Sequence, residues 1–127
     1  MSGVAVAPSA SAARAPECNV QKAVVERPGP AVRGSVRVPA VGTWQYSVLY
    51  CSLLWGDSGT GVATLQATLN HCYGRNLEVD GNFGDLTRTA LKYAQGRAGV
   101  AQDGVYGPNT RDRMAHWSGG AYCARIA

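Results

Sequence analysis

Two nearly matching stretches lie 23 residues apart: Asp80-Gly81-Asn82-Phe83-Gly84 with Thr87, and Asp103-Gly104-Val105-Tyr106-Gly107 with Thr110. A chain that writes the same punctuation twice is held to building the same local device twice. In each copy the Asp-Gly pair signals a tight turn, an aromatic follows two residues after that glycine, and a second glycine opens a helix-forming run. Pro108 makes the second helix start explicit, since proline suits the first helical position, where its missing N–H costs nothing. Gly81, Gly84, Gly104 and Gly107 read as positions that need positive φ. Asp80 and Asp103 hold equivalent turn positions, where a short carboxylate ordinarily accepts backbone N–H bonds.

Upstream, Gly56-Asp57-Ser58-Gly59 precedes Val62, Leu65, Gln66 and Leu69. Val62, Leu65, Leu69 and Cys72 share one helical stripe. The run from Gly56 through Leu69, followed by the two Asp-Gly-x-aromatic-Gly-x-x-Thr units, resembles the three-helix peptidoglycan-binding domain of secreted bacterial cell-wall proteins. The resemblance spans Leu54 to Trp117. It implies a mainly α fold, a small three-helix domain with two Asp-Gly turn repeats; the residues before it, which do not match the family pattern, read as an extended or short-strand segment tied on by disulfides. One departure from the family pattern is that Ala94, not an aromatic, precedes Gln95, with Tyr93 one place earlier.

Such a domain is marginal without crosslinks at this size. Cys18, Cys51, Cys72 and Cys123 supply an even count, which reads as a disulfide framework in an oxidising compartment. Three pairings are formally open. Cys51–Cys72 is favoured because it would tie the segment entering the first helix to that helix's end, and Cys18–Cys123 follows by elimination. Zinc is the rival use for His71, Cys72, His116 and Cys123, but His71 and Cys72 are adjacent and leave a helix about 100° apart. No metal or other cofactor is expected, and both histidines read as exposed or partly satisfied helix residues.

Residues 1–17 hold six Ala and three Ser with only Arg14 and Glu17 charged, a composition that cannot form a core and reads as a linker. Val4-Ala5-Val6-Ala7 is too short for the apolar run of an export signal, while Ala10-Ser11-Ala12 resembles a signal-peptidase site, so Met1 reads as a late start and the export segment as already removed. Residues 18–50 change grammar. Val32, Val36 and Val38 alternate with Arg33, Ser35 and Arg37, suggesting a short strand, while Pro28-Gly29-Pro30 and Pro39 punctuate the stretch and Trp44, Tyr46 and Tyr50 follow. This segment is either a strap wrapped onto the helical domain of residues 51–127 or a docking segment for a protein partner. Residues 1–50 carry net charge +3 and residues 51–127 net +1. That mild excess favours anionic wall polymers and lacks the clustered basic stripe of a nucleic-acid binder. No stretch is apolar for long enough to cross a membrane.

Catalysis finds no constellation. Neither histidine sits in a nucleophile context, paired cysteines leave no free thiol, and the tempting carboxylates Asp80 and Asp103 have turn roles. The chain therefore reads as a secreted, non-catalytic binding protein. The resemblance implies peptidoglycan as ligand, through its stem peptide or the adjoining sugar, held in a shallow groove near the repeated loops. Candidate contacts are Asp80, Asn82, Phe83, Asp103, Tyr106 and Asn109, with the helix starts at Gly84 and Gly107 offering N–H groups to a carboxylate. Core plugging is the competing role for Phe83 and Tyr106, and packing in the first helical turn the competing role for Thr87 and Thr110. The alternative function is an adaptor that joins proteins of a secreted complex through residues 18–50.

Overall fold

The computed structural model describes residues 14–25, 34–43 and 45–126. The expectations for residues 1–13, for Val32 and Arg33, for Pro28-Gly29-Pro30 and for Trp44 lie outside the described residues. Along the chain, strands β1 (Val20–Val25), β2 (Ser35–Gly42) and β3 (Ser47–Val48) precede helices α1 (Thr60–Tyr73), α2 (Asp85–Ala98) and α3 (Pro108–Arg113). A small hairpin of β4 (His116–Trp117) and β5 (Cys123–Ala124) follows. Helix and strand are thus mixed: the three helices of the expected domain are joined by more strand than a mainly α chain carries.

The helices begin and end where local chemistry dictates. Val62, Leu65 and Leu69 of α1 are buried as the stripe requires, and Gly74 and Gly99 close α1 and α2 in the left-handed conformation. Gly81 and Gly104 both adopt φ +76°, as the Asp-Gly turns demand. The second glycine of each repeat departs from expectation. Gly84 and Gly107 are N-caps in extended conformation, with φ −111° and −128°, and space around both would admit a Cβ.

Strands β1, β2 and β3 form an antiparallel sheet in that order. Val36, Val38 and Ala40 point into the core while Ser35 and Arg37 face out, the alternation of a half-buried strand. Pro39 is not a break but lies inside β2, opposite Gln21. β3 pairs only with Val41 and Gly42, so β2 has an unpaired edge at Pro39, the setting in which a strand tolerates a missing N–H. The sheet packs on α1. At Gly61 a Cβ would come within 2.1 Å of the Cys18 carbonyl oxygen, so glycine there permits the approach of strap and helix.

A segment with a turn at Trp55-Gly56, residues 52–59, stitches the parts together. On one side it meets the N-terminal stretch: Cys18 N–H donates to Ser52 O (3.0 Å) and Ser52 N–H to Pro16 O (2.8 Å), and Arg14 pairs with Asp57. Arg14 to Glu17, expected as linker, are thus docked. On the other side it bonds both repeats. Leu53 and Tyr106 exchange two backbone bonds of 2.8 Å, Phe83 N–H donates to Asp57 O (2.9 Å), and Gly59 N–H donates to Gly81 O (2.8 Å).

The disulfides are Cys18–Cys51 and Cys72–Cys123, which corrects the expected pairing. Cys51 enters the core beside β2, whereas Cys72 sits at the far end of α1, where the tail returns as β5. The pairing that followed elimination failed because the strap folds back on residues 51–53. Each bridge ties an extension to the helical unit. Reduction of both is expected to cost about 2–5 kcal/mol per bridge, with a matching fall of Tm measured with and without reductant.

Candidate functional site

Each repeat is organised by a buried glutamine. Gln66 of α1 donates through Nε2 to Asp80 Oδ1 (3.1 Å), Asn82 O (3.0 Å) and Thr87 Oγ1 (3.0 Å), and its Oε1 accepts the Gly81 N–H (2.9 Å). Gln95 of α2 does the same for the second repeat. Its Nε2 donates to Asp103 Oδ1 (2.9 Å), Val105 O (2.9 Å) and Thr110 Oγ1 (3.0 Å), and its Oε1 accepts the Gly104 N–H (3.0 Å). The turn carboxylates also accept backbone N–H bonds two residues on, from Asn82 (2.9 Å) and Val105 (3.0 Å). These bonds, the Asn82 backbone one first, hold the Asp80 carboxyl below its ordinary range.

The candidate contacts separate into two groups. Asp80, Asn82, Asp103 and Asn109 are exposed. Phe83, at 3% exposure, and Tyr106, at 0%, are core residues, so neither ring can stack on a ligand. Their side chains are drawn inward by the same backbone bonding to residues 53–57 that fixes the turns. Tyr106 also meets His116, with its Oη 2.9 Å from His116 Nε2. His116 is wholly buried in β4 rather than on a helix, and its Nδ1 has no hydrogen-bond partner among the described residues. His71 is exposed and stacks on Trp117, ring centroids 3.7 Å apart. All four cysteines are in disulfides, so none offers a thiolate to a metal or a substrate.

The exposed repeat residues line two open clefts. The first, about 250 Å3, lies at the start of α2 and includes Glu78, Asp80, Asn82, Asp85 and Leu86. Three carboxylates and no basic group line it, so the expected delivery of a ligand carboxylate to the helix start at Gly84 is electrostatically opposed there. Leu86 is 77% exposed. Asp85 Oδ1 accepts the indole N–H of Trp55 at 3.0 Å, which fixes a ring that is itself 56% exposed. Trp55 was not among the sequence candidates, although an aromatic just before the Gly56-Asp57-Ser58-Gly59 turn is where a loop ring would be sought. The second cleft, about 330 Å3, lies at the start of α3 and is lined by Asp103, Asn109, Asp112 and Arg113 among others.

Comparison with known proteins places part of the chain in a described family. Residues 58–114 match the family described as "Putative peptidoglycan binding domain", and a domain of this family occupies that segment. Among solved structures, the Burkholderia AP3 phage endolysin is similar at 37% identity and TM-score 0.45, over 46% of this chain and 22% of that one. A peptidoglycan-binding protein from Clostridioides difficile, in complex with glutamine hydroxamate, is similar at 22% identity and TM-score 0.46, over 67% of this chain and 63% of that one. The chain thus spans less than two thirds of the length of either. No curated protein matches it.

Two outcomes follow from the buried polar groups. Gln66→Leu or Gln95→Leu would strand a glycine N–H, a turn carbonyl and a threonine hydroxyl, and either is expected to lower stability by about 2–5 kcal/mol in denaturant titration. Burial pushes the His116 imidazole down to about 4. Its folded value is depressed below the unfolded one, so the unfolded chain binds the extra proton between about pH 6.5 and 4. Stability should therefore decline by up to about 3 kcal/mol as pH falls through that window. The decline should be largely absent in His116→Gln, measured as ΔG of unfolding against pH.

Proposed function

We propose that the protein is a secreted, non-catalytic wall-binding protein that recognises peptidoglycan through the cleft at the start of α2. The observation that carries this reading is the acid-lined cleft at residues 78–87 with the anchored, exposed Trp55 at its rim, set in the segment that matches the peptidoglycan-binding family. Its chemistry suits a stem peptide that carries an ammonium group. Glu78, Asp80 and Asp85 would attract the cation, Asn82 would bond amides, and the Trp55 and Leu86 surfaces would cover the adjoining sugar or aliphatic part. Paired cysteines support an oxidising, extracellular or wall-associated setting, and no helix of the described residues is long and apolar enough to cross a membrane.

The turn roles of Asp80 and Asp103 support a binding rather than a hydrolytic use of these carboxylates. Each is tied by a glutamine and a backbone N–H, and the Asp80 carboxyl is held below its ordinary range, away from the proton affinity of a general acid. Against the adaptor alternative, the inner face of the N-terminal sheet is already occupied by α1, which leaves a protein partner the outer face and the free edges of β1 and β3.

The test is co-sedimentation of the oxidised full-length protein with intact sacculi at low and raised salt. Truncation would orphan Cys51 and uncover α1, so substitutions are used instead. Glu78→Gln with Leu86→Ala is expected to weaken salt-resistant binding at least about tenfold while leaving the fold intact. Sedimentation that vanishes with salt, or that the double variant retains in full, would refute the assignment of this cleft.

A further inference from the structure

A second groove, about 240 Å3, lies between the N-terminal sheet, the outward face of α1 and the tail hairpin. It shares no lining residue with the acid-lined cleft, and it is completed by Gln21, Arg37 and Trp117, all outside the segment that matches the family. The extensions therefore do more than brace the helices.

The polar groups of this groove are donors. Gln21 Oε1 lies 3.2 Å from Thr64 Oγ1, whose proton also reaches Thr60 O at 2.8 Å, and the Gln21 amide N–H groups have no partner among the described residues. Thr68 Oγ1, on a side chain only 1% exposed, accepts the Trp117 backbone N–H at 3.2 Å and so ties the tail hairpin to α1. The Arg37 guanidinium lies 5.7 Å from the centre of the Trp117 ring, and no carboxylate pairs with it among the described residues. No acidic residue lines the groove, and its remaining wall, including Ala63, Ala67 and Val79, is small and apolar.

Trp117 is held in place before any ligand arrives, and the Arg37 guanidinium lies against the tail turn. Trp117 stacks on His71 and donates its indole N–H to Gly120 O at 2.9 Å. Gly119 has φ +85°, and a Cβ there would come within 2.3 Å of Arg37 Cζ. The glycine thus serves two needs, a left-handed turn and room for the guanidinium beside it.

We infer that this groove is a binding site for a free carboxylate on a short chain with small side chains, such as the C-terminus of a small-residue peptide. The planar guanidinium fork matches a carboxylate, and the Gln21 amide would complete its coordination. The shallow alanine and valine wall offers small side chains an apolar surface. This site takes the opposite charge from the cleft at residues 78–87, so the two cannot bind the same group.

The test is a heteronuclear NMR titration of the oxidised full-length protein with N-acetyl-alanyl-alanine and, separately, with its C-terminal amide. The expected result is a saturable shift of the Trp117 indole N–H and the Arg37 Nε–H with the acid, and binding at least about tenfold weaker for the amide. Arg37→Gln should show a similar loss while its amide spectrum reports an intact fold. Equal binding of acid and amide, shifts confined to residues 77–87, undiminished binding by Arg37→Gln, or no saturable shift in the millimolar range would each overturn the inference. The comparison of acid with amide needs no variant, and it is independent of sacculus binding, so either site can fail alone.

Discussion

The helical unit depends on a side-chain amide buried at the centre of each repeat. A tight Asp-Gly turn leaves a glycine N–H, a carbonyl and a carboxylate pointing inward, and a helix passing beneath it must satisfy all three or exclude them. Gln66 and Gln95 satisfy them: one amide offers two donors and an acceptor, which is the complement the turn presents. Each also reaches the threonine in the first turn of the next helix. One residue therefore fixes three things together, the turn, the helix that precedes it and the helix that follows. In a low-dielectric interior such a network is stabilising only when complete, which ties Asp, Gly, Gln and Thr to one another in each repeat.

The extensions complete this unit because three short helices enclose too little apolar area alone. The segment 52–59 supplies backbone partners to both turns and to residues 16–18, so strap, turns and helices share one hydrogen-bonded spine. The two disulfides act at opposite ends of α1. One joins the strap to the start of that spine, and the other joins the tail to the helix's last turn. Gly61 then decides how closely the strap lies on the helix. These constraints also create the groove of Arg37 and Trp117, since each wall arrives on a different covalently tied segment.

The repeats were legible because glycine, proline and apolar spacing act locally. The Asp-Gly turns, the stripe of Val62, Leu65 and Leu69, and the entry of α3 at Pro108 all follow from residues within one turn of one another. What was not legible depends on contacts far apart in sequence. Cysteine pairing is set by the fold-back of the strap onto residues 51–53, which no spacing announces. Pro39 looked like a break because the unpaired edge of β2 is visible only once β3 is placed. Phe83 and Tyr106 read as candidate contacts against a strong competing role as core plugs, and the backbone bonds to residues 53–57 turn both inward. Gly84 and Gly107 illustrate a different limit: a repeated glycine suggested a positive φ, yet the helix entries are extended. Trp55 was missed because its importance comes from Asp85, thirty residues away, rather than from its neighbours.

Repetition of the turn does not make the two clefts alike. The glutamine-to-aspartate interval is longer in the first copy, from Gln66 to Asp80, than in the second, from Gln95 to Asp103. The additional chain carries Leu77 and Glu78 to the first cleft, where Asn70 holds it: its Oδ1 accepts the Leu77 N–H at 2.7 Å and its Nδ2 donates to the Leu77 carbonyl at 2.9 Å. In the second cleft the shorter connection presents Gly99, Val100 and Ala101 instead, and Arg113 offsets Asp103 and Asp112. The conserved geometry of the repeat is thus spent on satisfying buried backbone, while charge and apolar surface are set by the connections between glutamine and turn. Ligand preference in a unit of this kind can change through those connections without disturbing the amide network beneath them.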